Sequence, residues 1–336
     1  MNKQELFTNS RFSTTKIPSK LKPTIFTNTI SVSSNLLYLP KNKDRKGEGG
    51  LRLRGFFKHS YKKINGKWHI NDIETQPIPV DKETLEKILE SIYLFDNRLS
   101  EINYLPLISI ITVVFNGEKY LEETIKSVLN QTYPNVEYII IDGGSTDNTM
   151  SIINKYGDSI DYWVSEKDTG MYDALKKGFR LAVGSIFSWL NSDDLYFNYT
   201  LKTVAEIFTK HNIKWLAGIP TIINEQGEIV KVFNARYYFN YFIQRGYYRS
   251  GIMGFIQQDS LFFSRDLYNK AGGLDSSFNL AGDYDLWIKF SKFEKLYCIK
   301  TILSSFRKHK NQKSADADAY LNECNLVRRP KLKFLK

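Results

Sequence analysis

The chain has 336 residues, 42% of them hydrophobic and 25% charged, and its 47 Lys and Arg against 36 Asp and Glu give a formal net charge of +11. These proportions exclude a disordered chain, leave room for one large or two modest packed domains, and suit anionic partners such as phosphorylated substrates, a membrane surface or nucleic acid. Two cysteines without CxxC spacing, no apolar leader and no stretch of bilayer length argue against a disulfide scaffold or a membrane-spanning protein. A cytoplasmic protein is expected, able to rest on the inner face of a membrane.

Residues 1 to about 45 are rich in Ser, Thr, Asn, Lys and Pro and read as loosely ordered or docked late. Residues 47–69 mix glycine, basic and aromatic side chains, a pattern for short strands or a basic aromatic surface. Asp81 then opens an amphipathic helix with Leu85, Ile88, Leu89, Ile92 and Phe95 on one face, and its carboxylate is placed to cap the first turn. Residues 96–105 read as a connector. The whole of 1–105 is an N-terminal extension of unassigned role.

At Pro106 the pattern changes. Residues 107–115 (LISIITVVF) read as a buried strand, followed by a turn at Asn116 and Gly117 and a helix over 118–131. A second buried strand, 136–142, precedes GGSTDNT and a helix from about 146 to 155. A third strand, 160–165, ends in EKDTG before a helix over 172–183. A fourth begins at 186, in IFSWLNSDD. Alternating strands and helices at this spacing predict an α/β fold, a doubly wound, mostly parallel central sheet flanked by helices with right-handed crossovers. Beyond it come a helix near 198–210, a hairpin of KWLAGIPTII and EIVKVF, and an aromatic, arginine-rich segment over 236–253. An apolar strand QDSLFFS, a short helix from Asp266, a helix headed by Asp283 and Asp285, and LYCIK with ILSSFRKH complete the folded part. The span 316–336 reads as a basic C-terminal tail.

Each strand of the α/β part ends in a polar cluster with an acidic or amide residue, and in open α/β sheets ligands bind beyond the carboxyl ends of the strands. Asp193 and Asp194 stand at one such end. Two neighbouring carboxylates cost folding energy unless a cation or donors compensate them, and a hard divalent ion held together with substrate phosphates would do so. A turn and helix cap formed by Asn191 to Asp194 is the plainer reading.

Taken in order, ITVVFNGEKYLEETIKSVLNQTYPNVEYIIIDGGSTDNT, SEKDTGMYDALKKG, WLNSDD, QQDSLFFSR with GGLD, GDYDLWIK and FRKHKNQKS resemble the family 2 glycosyltransferases of the GT-A fold over about 107–314. The resemblance implies a GT-A domain over 106–315 that moves a sugar from a nucleoside-diphosphate sugar to a saccharide or polyprenyl-linked acceptor with inversion, in cell-surface polysaccharide synthesis. It implies Asp283 as catalytic base, although Gly282 stands where the family's pattern has another carboxylate. It implies nucleotide-sugar contacts for Asn116, Asp142, Asp168, Asp173, Asp193 and Arg307. Mg2+ or Mn2+ is the implied cofactor, with Asp194 and His309 as metal ligands and Asp193 nearer the ribose. The QxxRW signature of processive synthases is missing, so one or a few sugars are expected per acceptor.

Other readings are weaker. No GxGxxG turn follows the first strand, which speaks against a dehydrogenase. No nucleic-acid module is recognisable, and acidic strand ends repel phosphates. A non-catalytic homologue that binds a nucleotide sugar without turnover would keep the same fold. For 236–253 two readings stand: an acceptor surface, since aromatic faces suit sugar rings and arginines a lipid diphosphate, or an aromatic core. The basic tail predicts salt-sensitive association with an anionic membrane.

Overall fold

A computed structural model describes residues 25–30, 36–72, 75–95, 102–310, 312 and 316–328. Much of the stretch expected to be loosely ordered, most of the 96–105 connector, Ser314 and the end of the basic tail lie outside the described residues. The first elements are short: β1 (Gly47–Gly49), β2 (Tyr61–Ile64), β3 (Lys67–Ile70) and β4 (Ile78–Pro79). Then comes α1 (Lys82–Phe95), whose first turn is capped as expected: Asp81 Oδ1 accepts from the Thr84 amide at 2.7 Å. After β5 (Tyr104–Leu105) the α/β alternation begins with β6 (Ile108–Val114), α2 (Leu121–Leu129), β7 (Val136–Asp142), α3 (Thr149–Tyr156), β8 (Tyr162–Ser165), α4 (Met171–Leu181) and β9 (Ile186–Trp189). The remainder is β10 (Leu195–Tyr196), α5 (Thr200–His211), β11 (Trp215–Ile223), β12 (Ile229–Val232), α6 (Asn240–Gln244), β13 (Leu261–Ser264), α7 (Arg265–Lys270), α8 (Gly282–Phe290), β14 (Tyr297–Arg307) and α9 (Ala317–Arg328). LYCIK and ILSSFRKH, two segments in the sequence, share the single strand β14.

The large sheet runs β1-β8-β7-β6-β9-β13-β11-β14-β10, with β12 paired to β11. Its heart is parallel, β8 to β7 to β6 to β9, as the uninterrupted apolar runs require for strands covered on both faces. From β9 onward the pairing is mixed: β13 lies antiparallel to both β9 and β11, while β14 lies parallel to β11. Side chains alternate between two apolar layers. Ile108, Ile110, Tyr138 and Ile140 pack with α2, α3 and α5, through residues such as Leu121, Ile125, Ile153 and Val204. Ile111, Val113, Ile139 and Ile141 pack on the other face with Leu175, Phe179, Leu267 and Leu286 from α4, α7 and α8.

Part of residues 36–105 is tied into this body. Strands β4-β3-β2-β5 make a separate small sheet whose Tyr61, Trp68 and Ile70 join the first apolar layer. Strand β1 pairs with the outer edge of β8. Below it, Arg52 forms a buried ion pair with Glu137 of β7, and Lys58 Nζ one with Asp161 Oδ2 at 2.8 Å. Unpaired charges are almost never buried, so these partners hold the early segment against the sheet.

Candidate active site

The carboxyl ends of β6, β7, β8 and β9 open on one cleft of about 1320 Å³, closed on its other sides by the loop before β13, the head of α8, α9 and the segment after β14. A side chain's place here depends on how each strand end turns.

At the end of β6, Phe115 projects into the cleft with 65% of its surface exposed. Asn116 follows in the left-handed region (φ 51°), a conformation that asparagine tolerates, and its Oδ1 accepts from the Thr146 amide at 2.9 Å. Asn116 therefore lines the cleft while fixing the β7–α3 loop against the β6–α2 loop. Asp168 lines the cleft too, its Oδ1 accepting from the Gly170 amide at 2.8 Å. Gly143 allows this: a Cβ there would stand 2.7 Å from Asp168 Oδ2.

Asp142 is placed differently from the expectation. It is fully buried, with Oδ2 accepting from the amides of Gly144 and Ser145 (3.1 and 3.0 Å) and the Ser165 hydroxyl (2.6 Å), and Oδ1 from the Ser145 hydroxyl. Both oxygens bind the loop and Asp142 does not line the cleft, so its carboxylate shapes the wall beside Gly143. Asp173 likewise serves its own turn, accepting from the Thr169 amide at 3.2 Å and pairing with Lys177 at 3.5 Å.

The two aspartates after β9 are also reversed. Asp194 is fully buried, where Oδ1 accepts from the Arg307 amide (2.9 Å) and Oδ2 from Asn191 Nδ2 (3.1 Å). Burial, then Asp193, then Asp259, hold its carboxyl well above the usual carboxylate range. Asp194 does not line the cleft, and both its oxygens accept hydrogen bonds from the protein, unlike the placement expected of a metal ligand. Asp193 faces the cleft, its Oδ2 at 2.8 Å from His309 Nε2. His309 is steadied by the Tyr120 ring (centroids 5.1 Å apart) and by its amide, which donates to Gln312 Oε1 at 2.9 Å.

Arg307, expected at the nucleotide sugar, is buried at the end of β14. Its Nε donates to the Asp193 carbonyl (2.9 Å), Nη1 to the Asn224 and Glu225 carbonyls (3.3 and 3.2 Å), and Nη2 pairs with Glu123 (2.6 Å). The guanidinium also sits 4.5 Å from the centre of the Tyr120 ring. With its donors committed, it holds the Asp193 turn in place and does not reach the cleft.

Among the described residues no three His, Cys, Asp or Glu side chains gather as a metal site. Mg2+ and Mn2+ do not require one, since they commonly take one or two protein ligands with phosphate oxygens and water. Asp193 and His309 lie together at the cleft, 2.8 Å apart. Asn191 adds an oxygen beside them: it lines the cleft, and its buried Oδ1 has no hydrogen-bond partner.

Asp283 stands at the head of α8, which is locked to the sheet by Trp287 stacking on Trp189 and Trp215 (5.5 and 5.8 Å). It lines the cleft, and its Oδ1 accepts from the Tyr284 amide (2.8 Å) and lies 3.2 Å from the Tyr172 hydroxyl. Burial pushes its carboxyl up to about 6 against the pull of those donors. Gly282, where the resemblance has a carboxylate, has a local cause: a Cβ there would stand 2.8 Å from the Tyr172 ring.

Sequence reasoning missed Asp259 and Gln258, which read only as the entrance to an apolar strand. Asp259 lies at the cleft floor with a hydrogen bond from Ser304 Oγ (2.5 Å), and burial pushes its carboxyl up to about 6. Gln258 Nε2 donates to the Trp189 carbonyl at 2.6 Å. A paired amide and acid just before a buried strand was the available signal. Phe115 and Tyr172, both at the cleft wall, were hidden as ordinary strand and helix aromatics, and Tyr320 lay in the span read as a basic tail, which folds instead as α9.

The sequence pattern of Glycosyl transferase family 2 matches residues 109–272. An uncharacterized glycosyltransferase of Rickettsia typhi is 33% identical over 223 residues, 66% of this chain and 70% of the relative. One from Rickettsia bellii is 34% identical over 67% of this chain, which spans only 33% of that longer relative. Among solved structures, S. aureus TarS 1-349 in complex with UDP-GlcNAc superposes with a TM-score of 0.53 at 18% identity, covering 66% of this chain and 65% of that one. That last likeness concerns the fold.

Proposed function

Since this chain belongs to glycosyl transferase family 2, we propose that its cleft moves a sugar from a nucleoside-diphosphate donor to an acceptor hydroxyl in one displacement that inverts the anomeric carbon. The observation that carries the reading is Asp283. A cleft-facing carboxyl raised to about 6 is ionised at neutral pH yet basic enough to take a proton from a hydroxyl as it attacks.

The other residues divide the remaining work. The exposed face of Phe115 suits a planar base, and Asn116 and Asp168 set the width of the pocket beside it. Asp193, with His309 and Asn191 Oδ1, would hold Mg2+ or Mn2+ against the donor's diphosphate; when bound, the ion supplies positive charge where the leaving group gathers negative charge. Lys310 adds a cation at the same wall. Arg307 and Asp142 act through the loops they fix. Asp283 takes the acceptor proton, and a single displacement calls for no enzyme nucleophile. The UDP-GlcNAc in the TarS complex is consistent with a nucleotide-sugar donor here.

The acceptor is a saccharide or a polyprenyl-linked saccharide of a cell-surface polysaccharide, met at the anionic inner face of a membrane. In support, the formal net charge is +11, which suits an anionic surface. The test is a thermal-shift panel of nucleotide sugars with and without Mn2+. One donor should raise the melting temperature, Mn2+ should enlarge the rise, and Asp193→Ala should remove the enlargement. No shift with any nucleotide sugar, with or without Mn2+, would overturn the reading.

A further inference from the structure

From Ile229 to Gln258 the chain carries Lys231, Arg236, Arg245 and Arg249, nine Phe or Tyr residues and no carboxylate. Some of these rings face inward: Tyr248 is buried, and Tyr238 packs on it at 5.0 Å. Others do not. Tyr237, Phe239 and Tyr241 are 74%, 60% and 57% exposed, and Ile252 and Phe255 are exposed as well. Arg245 lies over the Tyr241 ring at 3.6 Å, so charge and aromatic surface are presented together. Asn240 donates to the carbonyls of Ser291 and Glu294, which brings exposed Phe293 alongside, with Lys270 5.1 Å from its ring centre. The segment also reaches the cleft, because Ser250, Phe255 and Ile256 line it and Phe255 packs edge-on to Tyr320.

We infer that the segment 229–258 docks on an anionic lipid bilayer, with its exposed aromatic rings in the headgroup region and its cations against lipid phosphates. Aromatic rings with a polar edge settle at the membrane–water interface, and basic side chains beside them add attraction that salt weakens. A stretch of thirty residues without one carboxylate removes the repulsion an anionic surface would otherwise exert. Docked this way, the cleft wall at Phe255 lies next to the lipid, where a polyprenyl-linked acceptor arrives. The inference rests on the proposed transferase reading and assigns its membrane contact to this segment instead of the basic tail.

The experiment is co-sedimentation of the full chain with phosphatidylglycerol-rich vesicles and with pure phosphatidylcholine vesicles, alongside donor binding by thermal shift. Wild type should sediment with the anionic vesicles only, less so at high salt. Tyr237→Ser combined with Phe239→Ser and Tyr241→Ser should weaken sedimentation about tenfold or more. Lys231→Gln with Arg245→Gln should weaken it about fivefold for each charge removed. Donor binding should be unchanged in both variants, which separates a failed docking site from a failed transferase reading. Vesicle binding that survives both variants, equal binding to neutral vesicles, or wild type that sediments with neither would overturn the inference. So would retention of the variants on vesicles until the basic tail is deleted. Salt-sensitive binding to an anionic polysaccharide without vesicle binding would give the segment a different partner and also overturn it.

Discussion

Two acids line the cleft in different settings, and the contrast matches the different work proposed for them. Asp193 is at a strand end, partly open to water and paired at 2.8 Å with His309. Asp283 is at a helix head, sunk in the wall beside Tyr172, with its carboxyl raised to about 6. An open carboxylate beside an imidazole is placed to meet the ion proposed for this cleft. A buried one is poised to accept a proton. Environment, more than residue type, distinguishes the roles proposed for the two acids.

The sharpest way to break this contrast is Asp283→Asn. It keeps the shape and removes the base, so turnover should fall about 10²–10⁴-fold in a donor-to-acceptor assay while donor affinity holds. The sign of its effect on stability differs from the usual active-site loss. In the native state the raised carboxyl binds its proton more tightly than in the unfolded chain, so the stability that Asp283 contributes declines as pH rises from about 4 to about 6. The amide variant should lose that component of the decline in melting temperature. Full activity in the variant would remove Asp283 from the chemistry.

A second substitution tests the other side. Arg307→Met strands the Asp193, Asn224 and Glu225 carbonyls and leaves half-exposed Glu123 without its partner, and should cost about 3 kcal/mol in a denaturant titration. It should weaken Mn2+-dependent donor binding without moving the pH profile, because Asp283 is untouched. The smallest effect belongs to Tyr172→Phe. The tyrosine hydroxyl favours the charged form of Asp283, so its loss should push that carboxyl higher and move the acid limb of the kcat profile from about 6 to more alkaline pH. The plateau rate should change by less than about tenfold. An unmoved limb would mean that Asp283 does not set it.

The parallel heart of the sheet was legible because strands covered on both faces must be apolar throughout, and ISIITVV and VEYIIID say so locally. The cleft followed from it, since strand ends are where such sheets bind ligands. Which aspartate of a neighbouring pair faces the ligand was not legible. The chain turns at Asn191, whose carbonyl accepts from the Asp194 amide at 3.2 Å, and the turn is held by Arg307, 113 residues further on. Arg307 itself looks in sequence like a free cation and proves to be a brace. Asp283 was legible because the head of a helix is a local feature. The early segment was not: β1 and the pairs Arg52–Glu137 and Lys58–Asp161 join residues some 80 to 120 positions apart, a relation no periodicity encodes.

Strand β1 has a wider consequence. Its pairing with Tyr162–Ser165 occupies hydrogen-bonding groups at the rim of the sheet, and Lys46 Nζ reaches over to the Gly144 and Ser145 carbonyls, at 2.7 and 3.2 Å. A protein trimmed to the span shared with the family would bare that rim, a sticky apolar ribbon open to a second molecule. The early residues thus serve as a selvedge along that rim, and Lys46 ties the loop after β7 beside the cleft.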